Sequence, residues 1–237
     1  QAIGARIIAP NTPGQGEGSP SLTDQENLEL SEGKTRRLGS FMVSAAFEAL
    51  GEDEDITSAN VIASSQGPLL VPGVLAELKD RGVHVNTVAM FTPASGYIGK
   101  TVGLMKNMLI DGGKKMKDYR RNNPDYLQTK VAKDTNVVKS ILTQFWAHVV
   151  AYPRAMVRQD LASEIAESVA GMESTPEFIV YAAENDKVSQ LKHNERLVTD
   201  LLARGLTARL ELMAGQYHAV TEHVPYIASL LSKVIRT

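Results

Sequence analysis

Short apolar strand patterns alternate with amphipathic helix patterns along this 237-residue chain, and that alternation restricts the fold more than any other feature. The strand-like runs are short and rich in β-branched residues, whereas the helix-like runs place apolar residues three or four positions apart. Strand patterns lie at 5–10, 59–64, 83–91, 177–183 and 207–214, and helix patterns at 34–50, 68–82, 188–205 and 224–236. Parallel strands need crossover connections, usually helices. The sequence therefore predicts an α/β fold, with a mostly parallel, doubly wound sheet and helices on both faces.

Three polar residues follow the ends of predicted strands. Ser65 comes after the strand at 59–64, Asp186 after an apolar run that ends at Ala183, and His218 after the last predicted strand. Ligands bind at the carboxyl ends of parallel strands, so we expect these side chains to converge. Each residue alone also has a structural explanation, because serine is favoured at helix starts and aspartate in polar turns. His218 alone could equally be a solvent-facing loop residue.

Two adjacent serines compete for the position after the first of these strands. A nucleophilic serine on a sharp strand-to-helix turn needs small residues two positions before and two after it. Ser65 meets this condition, because Ala63 and Gly67 flank it at those positions. Ser64 does not, because Ile62 would occupy one of the crowded places. We therefore expect Ser65 to be the reactive serine, if either serine is.

Four segments together resemble the α/β-hydrolase superfamily, namely "RIIAPNTPGQGEGSPS", "VIASSQGP", "YAAENDKVS" and "AGQYHAV". The resemblance covers most of the chain, and the order serine, acid, histidine is the one that the superfamily uses. It implies that Ser65 is the nucleophile, His218 its general base and Asp186 the acid that orients the histidine. Glu184 competes as the acid, but Asp186 fits the acid turn of the superfamily better. Ala63 stands where members of the superfamily most often have glycine. Alanine is tolerated there because the position requires only a small residue.

The start of the chain departs from the superfamily. Members normally have two or three strands before the one predicted at 5–10, and the loop after the third supplies one backbone N–H of the oxyanion hole. The sequence contains no such loop, which leaves the N–H of Gln66 as the identifiable donor. Loss of one donor typically costs about 3 kcal/mol of transition-state stabilisation. We expect a fragment of a longer polypeptide; the alternative is an abridged fold of doubtful activity.

Residues 94–174 interrupt the alternation with helical patterns at the place where the superfamily inserts a cap. The sequence thus predicts an α/β-hydrolase core at 1–93 and 175–237, with a helical cap insertion between them. Trp146, Phe145 and Met105 are candidates for substrate binding, although apolar residues of a cap more often form its own core. A basic run at 114–121 is usually a solvated face, and an anionic substrate is the alternative.

The composition of the chain argues against several classes of function. A net charge of −2 argues against binding to nucleic acid. No apolar stretch approaches a length of about 20 residues, which a helix needs to span a membrane. Without cysteine there is no thiolate site, and the histidines lack carboxylates at metal-ligand spacing, so we expect no metal, no cofactor and a cytoplasmic location. The predicted partner is a small-molecule substrate, and the sequence leaves open whether the protein forms a homo-oligomer.

The predicted function is a serine hydrolase that cleaves a carboxylic ester, or a related acyl bond, of a small to medium apolar substrate through an acyl-enzyme on Ser65. The alternatives are a non-catalytic ligand-binding protein with the same fold and another chemistry on the same three residues. Amide or thioester hydrolysis, haloperoxidase activity and lyase activity all belong to this second group, because the fold does not decide the chemistry.

Overall fold

The computed structural model describes residues 7–10, 12–14, 20–51, 56–94, 103–104, 106–107, 147–218 and 224–234. Within these ranges, seven α-helices and four β-strands follow one another in an α/β arrangement. The helices are α1 (Asp24–Ser31), α2 (Arg36–Leu50), α3 (Val71–Asp80), α4 (Tyr152–Arg158), α5 (Leu161–Val169), α6 (Leu191–Ala203) and α7 (Val224–Val234). The strands are β1 (Ser58–Ser64), β2 (His84–Phe91), β3 (Glu177–Ala183) and β4 (Ala208–Met213).

The four strands form one parallel sheet in the order β1, β2, β3, β4. Its register pairs Ser64 with Phe91 and Phe91 with Tyr181, so the carboxyl ends of neighbouring strands lie side by side. Helices connect the strands, as parallel pairing requires. The predicted fold class is therefore confirmed, and so are the strand patterns from residue 59 onward.

The two central strands, β2 and β3, are buried on both faces over most of their length, which the alternation of side chains along β2 illustrates. Val88 and Met90 point into a core that also contains residues of α2, α3, α5 and α6. Ala89 and Phe91 belong to the core on the other face, against which α7 packs. Successive side chains of a strand point to opposite faces, so a strand buried on both sides needs an almost continuous apolar sequence. Residues 88–91 of β2, with the sequence VAMF, are of this kind.

Local sequence signals explain where several helices begin. The Thr23 hydroxyl accepts a hydrogen bond from the Glu26 N–H at 3.2 Å, and the Glu26 carboxylate accepts one from the Thr23 N–H at 2.8 Å, which completes a capping box at α1. Asp160 caps α5 by accepting from the Ser163 N–H at 3.1 Å. Pro72 lies in the first turn of α3, where its missing N–H is not needed.

One predicted strand is not formed in the described part of the chain. The strand predicted at 5–10 is wrong for the described residues 7–10, which form no strand and leave Ile7 74% exposed. The β-branched pattern is a local signal, whereas a strand also needs a neighbouring strand to bond its backbone.

Helix α5 lies inside the segment assigned to the cap, yet its Leu161 and Ile165 are buried in the core beside the sheet. For the rest of 94–174 the cap stays a prediction, and most of that segment lies outside the described residues.

Candidate active site

Ser65 occupies a sharp turn directly after β1. Its φ of 56° is in the left-handed region, which is uncommon for a residue other than glycine, and its N–H donates to the Phe91 carbonyl at 2.9 Å. A short 3-10 turn, Gly67–Leu70, follows and leads into α3. A Cβ built at Gly67 would lie 3.6 Å from the Ala63 Cβ, an ordinary contact distance. The two flanking positions that the sequence singled out therefore face each other across the turn.

Asp186 lies in the turn after β3, and its side chain is fully buried. One carboxylate oxygen, Oδ1, accepts hydrogen bonds from the backbone N–H groups of Val188 at 2.7 Å and Ser189 at 2.9 Å. Two hydrogen bonds from backbone N–H groups to one oxygen fix the orientation of the carboxylate. The other oxygen, Oδ2, is thereby directed toward the loop after β4.

His218 connects the other two residues. Its Nδ1 lies 2.9 Å from Asp186 Oδ2, and its Nε2 lies 2.7 Å from Ser65 Oγ. Because an ionised carboxylate can only accept a hydrogen bond, Nδ1 must carry the proton that binds Asp186. In the neutral imidazole this leaves Nε2 free to accept the Ser65 proton. The imidazole side chain is 14% exposed, so the group that would take up the proton is largely shielded from water.

The structure thus brings together the three residues that the sequence singled out at three strand ends. Glu184, the competing acid, does not contact the histidine. Its Oε2 instead accepts the Gly215 N–H at 2.7 Å, which ties the turn after β3 to the loop that carries His218. Gln66 follows Ser65 in the turn, and its role as an oxyanion donor stays a prediction. The predicted substrate-binding residues Trp146, Phe145 and Met105 lie outside the described residues.

Sequence analysis missed two buried hydroxyl residues at this site. Ser189 is 0% exposed and donates its hydroxyl to the Pro93 carbonyl, and Thr92, also 0% exposed, donates to the His218 carbonyl at 3.3 Å. The spacing of Asp186 and Ser189 is a signal for the first, because aspartate commonly accepts backbone N–H groups two and three residues ahead. Nothing local indicates the second, because its partner is 126 residues away in the chain.

Neither a metal-binding cluster nor a membrane-spanning helix is found in the part of the chain that the structure describes. No cluster of three or more histidine, aspartate or glutamate side chains there is arranged to hold a metal ion. Among the same residues, no helix is both long and apolar enough to cross a bilayer.

Comparison with known proteins identifies the fold through structure alone. No protein-family model matches the sequence, and no curated protein matches it significantly. Among solved structures, the chain resembles an α/β-hydrolase enzyme from a Medee basin deep-sea metagenome library (TM-score 0.54, 13% identity, 85% of this chain and 71% of that one). It also resembles an esterase from Exiguobacterium antarcticum (TM-score 0.53, 11% identity, 96% and 80%). A third similar structure is 2-hydroxy-6-oxo-6-phenylhexa-2,4-dienoate hydrolase from Rhodococcus sp. strain RHA1 (TM-score 0.56, 11% identity, 96% and 79%).

These similarities show that the chain has the α/β-hydrolase fold. The parallel order of the sheet and the helices on both of its faces agree with that assignment. Identities of 11–13% are too low to carry a substrate from one protein to another, and the fold alone hosts many reactions. The chemistry of this protein therefore depends on the residues of its site.

Proposed function

We propose that this protein is a serine hydrolase that cleaves a carboxylic ester, or a related acyl bond, through an acyl-enzyme on Ser65. The observation that carries the proposal is the pair of hydrogen bonds made by His218, 2.7 Å to Ser65 Oγ and 2.9 Å to Asp186 Oδ2. A serine hydroxyl is a weak nucleophile unless an adjacent base takes its proton. This arrangement supplies the base and an acid that orients it.

In the first half of the reaction, Ser65 Oγ attacks the carbonyl carbon of the substrate while His218 Nε2 takes the hydroxyl proton. The carbonyl oxygen becomes an oxyanion, for which the Gln66 N–H is the donor that we propose. Collapse of the tetrahedral intermediate breaks the bond to the leaving group, which receives the proton from Nε2. In the second half, water loses a proton to Nε2 and attacks the acyl-enzyme, and Ser65 regains its proton as the acid product leaves.

Asp186 supports both halves without exchanging a proton. The imidazole becomes a cation each time it takes a proton, and a fully buried carboxylate 2.9 Å away stabilises that charge. The two backbone N–H groups on Oδ1 keep the carboxylate from rotating as the charge appears and disappears. In this proposal the proton moves between Ser65, His218, the leaving group and water, and Asp186 acts as a fixed counter-charge.

The substrate class in this proposal is a small to medium apolar acyl ester. It is supported by the apolar residues Trp146, Phe145 and Met105 of the proposed cap, because apolar and adaptable side chains suit an acyl pocket. The basic run at 114–121 favours the alternative, a substrate with a negative charge. The absence of cysteine supports, as part of the same proposal, a cytoplasmic location.

Covalent labelling tests the proposal directly. A fluorophosphonate probe should label the wild-type protein, and peptide mass mapping should place the adduct on Ser65. Ser65→Ala should abolish labelling, whereas Ser64→Ala is a matched control one residue away and should retain it. Labelling that survives Ser65→Ala would refute the assignment of the nucleophile.

A series of p-nitrophenyl esters from acetyl to decanoyl, with one carboxylate-bearing ester, tests the substrate class. The apolar proposal expects the neutral short and medium esters to have the higher kcat/KM. A preference for the anionic ester that is lost in Lys117→Ala would refute it. Binding of esters without turnover or labelling would instead identify a non-catalytic ligand-binding protein.

A further inference from the structure

The turn at 92–94, which follows β2, contacts the backbone of the proposed nucleophile. The Ser65 N–H donates to the carbonyl of Phe91, the last residue of β2, and the Ala94 N–H donates to the Ser65 carbonyl at 2.7 Å. These two hydrogen bonds hold the peptide groups before and after the Ser65 Cα. The left-handed backbone of Ser65 is thus fixed by the strand beside it as well as by its own turn.

The same turn also contacts the elements that carry the other two residues. The Pro93 carbonyl accepts the buried Ser189 hydroxyl, and the Ser189 N–H binds Asp186. The Thr92 hydroxyl donates to the His218 carbonyl at 3.3 Å. Three consecutive residues therefore each bind the neighbourhood of a different member of the site, although none of the three touches a reacting atom.

Thr92 has a backbone conformation that is unfavourable for its residue type. Its φ is 45°, and Thr92 and Ser65 are the only residues other than glycine with positive φ in the described part of the chain. A β-branched residue in this region is a true outlier, and such strain persists only where the surroundings hold it. Here the Thr92 N–H donates to the Tyr181 carbonyl at 2.8 Å, and the side chain is fully buried. Glycine would avoid the strain but would lack the hydroxyl.

We propose that Thr92 is a positioning residue, whose hydroxyl holds the backbone of His218 so that the imidazole spans Ser65 and Asp186. This inference rests on the proposed hydrolase function and deepens it. Thr92 does not contact the substrate in this proposal. Its effect on the reaction passes through His218, so its loss should slow the steps in which the imidazole moves a proton and should leave substrate binding unchanged.

Three substitutions separate the hydroxyl from the shape and the strain of the side chain. Thr92→Val keeps the shape and removes the hydroxyl, Thr92→Gly fits the left-handed backbone and also removes it, and Thr92→Ser keeps the hydroxyl. For loss of one hydrogen bond we expect kcat and the rate of fluorophosphonate labelling to fall about threefold to tenfold in the first two variants. KM should not change, and Thr92→Ser should recover most of the rate. Thr87→Val, at a buried threonine within β2, is the matched control and should match wild type.

The outcomes distinguish this inference from the function on which it rests. If wild type is labelled at Ser65 and Thr92→Val and Thr92→Gly both retain full kcat, the positioning role is refuted and the hydrolase proposal stands. A serine variant as slow as the valine variant would also refute it, because the methyl group would then matter instead of the hydroxyl. If Thr92→Val does not fold, Thr92→Gly decides. Absence of labelling and of turnover in wild type would overturn the proposed function, and this inference with it.

Discussion

Replacing Asp186 by asparagine tests the site by exchanging one carboxylate oxygen for an NH₂ group, with almost no change of shape. An asparagine amide can sit in this position in two orientations. In one, its oxygen replaces Oδ1 and keeps both bonds from the N–H groups of Val188 and Ser189, so that its NH₂ faces His218 Nδ1. In the other, the NH₂ faces the two backbone N–H groups and leaves them without an acceptor.

The hydrogen bonds decide between the two orientations. A buried donor without an acceptor costs about 1–3 kcal/mol, so two of them disfavour the second orientation by about 2–6 kcal/mol. At about 1.4 kcal/mol per factor of ten, this is a preference of about 30-fold to 10⁴-fold for the first orientation. There the NH₂ donates to Nδ1, which forces the imidazole proton onto Nε2. An Nε2 that already carries a proton cannot accept one from Ser65.

We therefore expect Asp186→Asn to lower kcat by about 10² to 10⁴-fold, the upper value being typical of triads that lose the correct tautomer. Glu184→Gln is the matched control, because its amide oxygen can still accept the Gly215 N–H, and it should lower kcat by less than about threefold. Initial rates on a p-nitrophenyl ester measure both variants, with thermal unfolding as the check on folding. An Asp186→Asn enzyme within tenfold of wild type, or a larger loss in Glu184→Gln, would refute the assignment of the acid.

Two further predictions concern stability. A Cβ at Gly73, where α3 crosses α2, would lie 1.9 Å from the backbone oxygen of Arg36, so Gly73→Ala should lower the free energy of unfolding by about 3 kcal/mol in urea titrations. Gly103→Ala, where a Cβ meets nothing within 4 Å, should have little effect, and equal stabilities would contradict the close approach. Burial raises the pKa of the Glu164 carboxyl above 4.5, so the folded state binds its proton more tightly than the unfolded state, and this contribution to stability is lost as pH rises through the raised pKa. Glu164→Gln removes that loss, so the stability of this variant relative to wild type, measured by urea titration, should increase from about pH 4 to about pH 7, and a constant difference would contradict the raised pKa.

The sequence predicted the parts of the fold in which burial imposes a regular spacing of apolar residues. The second half of β2, residues 88–91, was predictable because burial on both faces demands successive apolar residues. The pattern at 5–10 looks equally strand-like, but the described residues 7–10 form no strand, because no local pattern records whether a neighbouring strand is present. Ser65, Asp186 and His218 were predictable as a set because strand ends are visible in sequence and parallel strands end on the same side of a sheet.

The contacts that the turn after β2 makes with the other strand ends were not predictable from a local pattern, and sheet geometry explains why they exist. Ser65 and Asp186 follow β1 and β3, which are separated by β2 and hence by two interstrand spacings of about 4.8 Å each. The His218 imidazole, with hydrogen bonds of 2.7 and 2.9 Å at its two nitrogens, is long enough to cover that gap. The residues that follow β2 therefore lie between the acid and the serine, where a side chain pointing into the gap would compete with the imidazole. The left-handed turn at Thr92 instead directs its hydroxyl to the His218 carbonyl, so the strand that contributes no reacting group is the one placed to hold the histidine.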